Sequence, residues 1–411
     1  MQEFIPTSRL QNGIRVIHEE VSSPISHFGI VINAGTSDEP DAAAGLAHFV
    51  EHTLFKGTEK RTSAQVTKRM ENAGGDLNAY TTKEETYIHA SFLSSDYERA
   101  IELLSDILFH ATFPEKEIEK EKEVIFEEIN YYHDSPAELI FDEIEEIAFT
   151  GHPLGRNILG NKSSLRKLHR SDILHFIDQN YTADNIVLAS VGNISFQQLL
   201  KYCKKYFGQD LQSAPPRHRP PFTHYQPRQV RKHKNINQAH IMLCNRAFSM
   251  NEPQRTAFTL LNNIVGGQAL SSRLNMSIRE KAGLAYSVES NYTPFTDTGL
   301  FSIYIGCETE KIDQCNELVF KELNKLRGNE LGTMQLHIAK KQFLGQMAIT
   351  NEAKLNELLA IGRAALISDE VDTQEAYAKA IESITASQIL ETANQIFQPD
   401  QFSSLIYEGR S

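Results

Sequence analysis

Apolar residues fall along this chain in two rhythms: short runs with a period of two, and longer stretches with a period near 3.6. Residues 10–17 place apolar positions on both sides of Asn12-Gly13, a dipeptide that closes tight hairpins because both residues tolerate positive φ. Further apolar or alternating runs at 28–33, 77–81 and 85–92 read as strands. Periodic segments at 42–55, 95–109 and 115–132 read as helices. Hairpins interleaved with helices predict an α+β fold: two homologous α/β sandwich domains, each a mainly antiparallel sheet packed with helices.

The second domain follows from an internal echo. Residues 26–33 lead into Asp38-Glu39-Pro40 and a helix, and residues 238–245 lead into Asn251-Glu252-Pro253 and a helix. At 411 residues the chain exceeds one typical core, and a proline-rich tract from Ala214 to Pro227 divides it near the middle. Such a tract is stiff and extended, so it reads as a linker. The expected organisation is a first domain at 1–212, a linker at 213–228 and a homologous second domain at 229–411.

Charge narrows the partners. The formal net charge is −12 with no long basic run, which argues against nucleic acid and anionic membrane surfaces and in favour of basic peptides. The first residues lack a charged and then apolar leader, and no apolar stretch approaches membrane-spanning length. A soluble cytoplasmic protein is expected. Cys203, Cys244, Cys307 and Cys315 lack C-x-x-C spacing and read as reduced, mostly buried thiols.

The densest chemistry lies at His48-Phe49-Val50-Glu51-His52. On a helix, residues four apart project from one face, so both imidazoles can reach one metal ion with Glu51 beside them. This is the H-x-x-E-H order, the inverse of the zinc hydrolase motif, with the glutamate taking a proton from the attacking water. By chance the pattern arises roughly 0.04 times in such a chain, so it is moderately specific alone. Leu46, Phe49, Val50 and Leu54 set the histidines beside a packed stripe and away from a solvated face.

Two histidines need a third protein ligand, usually a carboxylate. The segment 115–132 is rich in glutamate and would ordinarily be a solvated helix. Taking Ile118, Val124, Ile125 and Ile129 as its inward stripe places Glu121 and Glu128 on or beside that stripe, seven residues apart. Inward carboxylates need partners, which a metal and its histidines would provide: Glu128 as ligand, Glu121 bonded to a ligand.

The stretch GLAHFVEHTLFKGT, followed by a glutamate 76 positions after His52 inside EKEKEVIFEEI, resembles the inverted-zincin peptidase family M16, in its short single-chain bacterial type. That family includes the mitochondrial processing peptidase, insulin-degrading enzyme and pitrilysin. The resemblance implies Zn²⁺ held by His48, His52 and Glu128, Glu51 as catalytic base and Glu121 as an additional catalytic-site glutamate. It extends to the C-terminal half, where Arg279 and Tyr286 match the family's Arg-x6-Tyr element, which contacts substrate at the scissile bond. The segment 266–274 resembles the glycine-bearing stretch that opens this element. From the residues alone, Arg279 and Tyr286 read as an exposed helix residue and a strand core residue.

By the same resemblance, Asn78 and Ala79 lie on the strand edge that pairs with an extended peptide beside the zinc, and substrates are short or unfolded peptides hydrolysed in an enclosed chamber. Main-chain pairing reads few side chains, so sequence selectivity is expected to be weak. The long members of the family carry four such units, with zinc in the first and Arg-x6-Tyr in the fourth. A chain with two units is therefore expected to form a homodimer with Arg279 and Tyr286 acting in trans. The alternatives are a non-catalytic structural subunit of the same family and a zinc-containing peptide-binding protein.

Overall fold

The structure is a computed structural model and describes residues 4–209, 211 and 219–409. In chain order, the first half holds β1 (Thr7–Arg9), β2 (Arg15–Glu20), β3 (Ile25–Ile32), α1 (Leu46–Leu54), α2 (Ser63–Glu71), β4 (Asp76–Thr81) and β5 (Thr86–Leu93). There follow α3 (Tyr97–His110), α4 (Glu115–Asp134), α5 (Pro136–Ala148), α6 (Lys162–Leu165), α7 (Arg170–Asn180), β6 (Ile186–Gly192) and α8 (Phe196–Phe207). The second half holds β7 (Gln229–Lys234), β8 (Ala239–Ala247), α9 (Arg255–Gly266), a π-helical segment at Asn275–Lys281, β9 (Ala285–Pro294) and β10 (Gly299–Cys307). It ends with α10 (Ile312–Gly328), α11 (Thr333–Thr350), α12 (Lys354–Ile367), α13 (Gln374–Ser383), α14 (Ala386–Ile396) and β11 (Ser403–Gly409).

These elements build two sheets, ordered β1-β2-β6-β3-β5-β4 and β7-β11-β8-β10-β9. In the first, β2 runs parallel to β6 and the other neighbours are antiparallel. In the second, β7 runs parallel to β11 and the rest are antiparallel. Strand for strand, β2-β6-β3-β5-β4 and β7-β11-β8-β10-β9 have the same pattern, which is the duplication the two Glu-Pro segments signalled. Asn12-Gly13 turns β1 into β2 as the hairpin reading expects, with Gly13 at φ 100.

The compact units are not contiguous in sequence. Unit 1 comprises Met1–Ile129, Arg156–Arg219 and Ala348–Ala376; unit 2 comprises Asn130–Gly155, Pro220–Met347 and Tyr377–Ser411. A single boundary at 213–228 therefore misplaces two segments, each carrying a helix. In unit 1, α12 lies on β3 and β6 and buries Leu358, Ile361 and Ala365 against Val31, Val187 and Ala189. In unit 2, α5 lies on β8 and β11 and buries Ile140, Ile144 and Ala148 against Met242, Cys244 and Leu405. The halves of the sequence thus exchange one helix each, onto equivalent strand pairs. Gly362 shows how close the contact is: a Cβ there would stand 2.6 Å from Val31 Cγ2.

Of the proline-rich tract, 214–218 lies outside the described residues. From 219 onward it is anchored and is no free linker: Arg219 pairs with Asp38 and Glu84, Phe222 is buried, and the Tyr225 hydroxyl meets Ser403 at 2.9 Å. Two further details differ from the sequence reading. The helix expected over 42–55 begins at Leu46, because Gly45 takes a left-handed φ of 91 that breaks the run. Val124, placed in the inward stripe, is 51% exposed, while its neighbour Lys122 is buried and paired with Glu119. The four cysteines are free and buried, and no described helix is long and apolar enough to cross a membrane.

Candidate metal centre

The entry to α1 is built with care. A Cβ on Gly45 would stand 2.6 Å from the Leu159 carbonyl oxygen, so both its φ and its surroundings require glycine. The buried Glu39 side chain reaches forward and accepts the amides of Gly45 at 3.0 Å and Ala47 at 2.8 Å, two donors that the start of a helix leaves without partners. Arg156 donates to the Glu39 carbonyl oxygen at 2.6 Å. Leu46, Phe49, Val50 and Leu54 are buried and fix the rotation of α1, which sets the face on which His48, Glu51 and His52 project.

That face meets α4. His48 Nε2 and His52 Nε2 stand 3.8 and 3.6 Å from Glu128 Oε2, and one ligand atom from each of these residues lies within 4.8 Å of the others. A tetrahedral site with bonds of about 2.1 Å spaces its ligand atoms about 3.4 Å apart, so the trio is close to the geometry zinc requires. The imidazoles meet edge to face, centroids 4.4 Å apart. His52 Nδ1 lies 3.0 Å from Glu121 Oε1, whose other oxygen is 2.6 Å from Lys56 Nζ. With Nδ1–H donated to Glu121, His52 keeps Nε2 free as an electron-pair donor.

Electrostatics favour a cation at this point. Burial pushes the His48 imidazole down to about 3, with His52 adding to the effect, so it is neutral and able to ligate. Burial acts against charge on His52 too, but its bond to Glu121 and the nearby carboxylates outweigh this and raise it. Burial raises Glu128, and burial raises Glu51, which Glu128 repels further. Two carboxylates crowded beside two imidazoles would be relieved by a dication. The residues present therefore fit zinc.

Glu51 stands apart from the trio in its bonding: its Oε2 accepts the Thr81 hydroxyl at 2.8 Å. Thr81 closes β4, the free edge of the first sheet, which also carries Asn78 and Ala79. Asn78 is exposed, and its Oδ1 accepts the Ala79 amide at 2.8 Å, so the strand's own side chain occupies that donor. Arg279 and Tyr286 belong to unit 2. Arg279 is exposed on the π-helical segment, and Tyr286 is 63% exposed at the start of the edge strand β9, its hydroxyl donating to Glu308 at 3.4 Å. The reading of Tyr286 as a strand core residue does not hold.

Sequence reasoning missed Lys56, Thr81 and Glu39. Lys56 had a signal, since 48, 52 and 56 continue one spacing of four. Thr81 and Glu39 had none, because each acts through a neighbour that only the fold supplies.

Residues 15–162 match the family described as Insulinase (Peptidase family M16), and residues 167–343 match the Peptidase M16 inactive domain. The first match contains His48, Glu51, His52, Glu121 and Glu128; the second contains Arg279 and Tyr286. The chain is 31% identical over 392 residues to an uncharacterized zinc protease of Mycobacterium leprae, spanning 94% of this chain and 88% of that one. It is 34% identical over 341 residues to the mitochondrial-processing peptidase subunit beta of Bos taurus, spanning 78% of this chain and 68% of that one. A peptidase M16 inactive domain from Pseudomonas fluorescens has the same fold, with a TM-score of 0.90 at 20% identity over 99% of this chain and 98% of that one. On these matches, which run through both halves of the sequence, the chain belongs to peptidase family M16.

Proposed function

We propose that this protein is a zinc-dependent endopeptidase that hydrolyses short or unfolded peptides. The observation that carries the reading is the convergence of His48, His52 and Glu128 with Glu51 set beside them and held from the strand edge by Thr81. His48, His52 and Glu128 would hold the metal, and Glu121, braced by Lys56, would orient His52. When bound, zinc supplies Lewis acidity, which acidifies water and polarises a carbonyl. Glu51 takes the proton from the attacking water and returns it to the leaving amine. Its raised pKa suits a base that must release the proton again.

The peptide would lie along β4 by strand addition, displacing the Asn78 side chain from the Ala79 amide. Tyr286 would donate to the developing oxyanion and Arg279 would orient the substrate backbone, both from a second copy of the chain in a two-fold dimer. The complete set of ligands and base favours this over a non-catalytic subunit, and three protein ligands leave an open position that a purely structural site would close.

The test is Glu51→Gln. It is expected to retain near-stoichiometric zinc and lose roughly 10²-fold or more in cleavage of an unfolded peptide. Loss of zinc would make Glu51 a ligand and overturn the assignment. Dimer action is tested by mixing Glu51→Gln and Tyr286→Phe chains, each nearly inactive alone. Random reassortment should restore about a quarter of wild-type activity, since half the dimers are mixed and each has one intact site of two. Mixed dimers as inactive as their parents would exclude the trans arrangement.

A further inference from the structure

We propose that the outer edge of β7 docks an extended acidic segment of a partner protein, which adds to the second sheet as a strand and sets its apolar side chains into the adjoining cavity. The duplication shows what is open there. By register β2 and β7 are equivalent, with Val16 opposite Leu188 as Gln229 is opposite Ser404. In unit 1 the edge and one face of β2 are covered: β1 pairs with the edge, and α8 packs on β2 and α3 and buries Leu199, Cys203 and Phe207. In unit 2, β7 is the outermost strand, and no described strand pairs with its free edge. Between β7 and α10, the counterparts of β2 and α3, the surface opens into a cavity of about 530 Å³.

Leu243, Phe320, Phe402 and Ile406 give this cavity an apolar floor, and on its wall the Asn316 Oδ1 is buried without a hydrogen-bond partner among the described residues. Gln229 and Arg231 line it, while Val230 packs on the other face of the sheet and Lys232 pairs with Glu143 of α5. An added strand alternates in the same way, so every second side chain faces the cavity and those between face the side of Lys232. A helix in the manner of α8 fits less well. Gln229, Arg231 and Asn316 are the counterparts of Val16, His18 and Ile101, which are all buried in unit 1, and polar groups make a poor bed for an apolar stripe.

Charge selects the occupant. Arg228, Arg231, Lys232 and Lys234 fall within a stretch, 228–234, that holds no acid, in a chain whose net charge is −12. At the opposite ends of the two sheets, the edge strands β4 and β9 each hold one acid and no lysine or arginine. Arg231 is half exposed and stands 3.5 Å from Asp313 and 3.6 Å from Glu408, beyond good hydrogen-bond distance. Cations on an edge keep like strands apart, which excludes a second copy of β7 as the occupant. An acidic strand turns the same row into cross-strand ion pairs.

The probe is a labelled, end-capped peptide of seven residues that alternates glutamate with leucine. It is titrated against the whole Glu51→Gln chain, so that hydrolysis does not consume it, at about 50 mM salt, where screening is modest. Saturable binding is expected, weakened at least about tenfold in Arg231→Glu/Lys232→Glu and unchanged within about twofold in Lys60→Glu/Lys68→Glu, which reverses two cations of a basic surface in unit 1. Two peptide controls need no further variant. Lysine in place of glutamate should weaken binding at least about tenfold. Of two peptides N-methylated at alternate residues, one in each phase, the one that loses the amides facing β7 should weaken as much with its charge unchanged. Amide hydrogen exchange should slow across 229–234 on binding and stay unchanged in β4 and β9. No saturable binding up to about 1 mM, a lysine peptide that binds as tightly, or equal weakening in both variants would overturn the proposal. Full binding by both N-methylated peptides would overturn strand addition, and protection at β4 or β9 in place of β7 would overturn the site.

Discussion

The two units take the same step from a central strand into a helix and finish it in opposite ways. In unit 1, β3 leads through Asp38-Glu39-Pro40 to α1; in unit 2, β8 leads through Asn251-Glu252-Pro253 to α9. Glu39 is buried and reaches forward to two amides at the head of its helix. Glu252 is exposed and reaches backward to the Ser249 amide at 2.6 Å. The helices differ to match. On α9, Phe258, Leu261 and Val265 go into the core, and the helix carries none of the histidine and glutamate residues that converge in unit 1. On α1, His48 and His52 meet Glu128 on α4 while Glu51 meets Thr81 on β4, and the clamp at the helix entry ties down the amides at its head. The same loop serves as an ordinary turn in one copy and, in the other, as a clamp on the helix that bears His48 and His52.

The sharpest way to break this contrast is to remove the carboxylate that α1 faces. Glu128→Gln should abolish zinc binding at micromolar metal, because two histidines alone make a poor site. Glu121→Gln should weaken zinc by about 10- to 100-fold, the usual cost of losing the partner that orients a ligand. Metal titration against a competing chelator measures both. Wild-type affinity in the Glu128 variant would remove the third ligand from the assignment and leave unit 1 with no chemistry that unit 2 lacks.

Next in size is the clamp. Glu39→Ala leaves two buried amides without acceptors, at about 1–3 kcal/mol each, so a loss of about 2–6 kcal/mol is expected, with weakened zinc binding beside it. Glu252→Ala frees one amide, that of the buried Ser249, at about 1–3 kcal/mol and with no change in zinc. Denaturant unfolding and zinc titration of the pair decide the point. Equal effects would mean that the two turns do the same job.

These residues also mark how far the sequence could be read. His48, Glu51 and His52 were legible because helical spacing alone brings them to one face, and Glu121 and Glu128 because inward carboxylates are costly unless partnered. The error at Val124 did not disturb this, since the stripe is set by Ile118, Ile125 and Ile129, all buried. The exchange of α5 and α12 was not legible: the sequence reading placed no element at either segment, and an apolar stripe on a helix does not specify which sheet it covers. Glu39 was invisible for a similar reason, because its partners are backbone amides, identical at every position until the chain folds.

The smallest expected effect sets the two units apart by pH. In unit 1, burial lowers the pKa of His18, His27 and His89, all on strands of the first sheet; in unit 2, burial lowers that of His240. A histidine whose folded pKa lies below its unfolded value of about 6.5 binds fewer protons when folded. Its contribution to stability is thus complete above that pH and is lost as pH falls through the folded pKa. Unit 1 also holds two carboxyls raised by burial, Glu19 to about 7, with Glu357 adding to the rise, and Glu39 to about 8. Their sign is opposite: the folded state holds their protons longer, so stability falls as pH rises from about 4.5 through those values. Unit 1 is therefore squeezed from both sides and should be most stable between about pH 6 and 7, whereas His240 makes unit 2 lose stability only on the acid side. Amide exchange of the zinc-loaded protein at pH 5, 6.5 and 8, corrected for intrinsic rates, reads each sheet separately. Protection in β3 and β6 should peak at the middle value, while protection in β8 and β10 should hold from pH 6.5 to 8 and decline at pH 5. Identical profiles in the two sheets would show that these buried groups do not distinguish the copies and would leave the metal centre as their main physical difference.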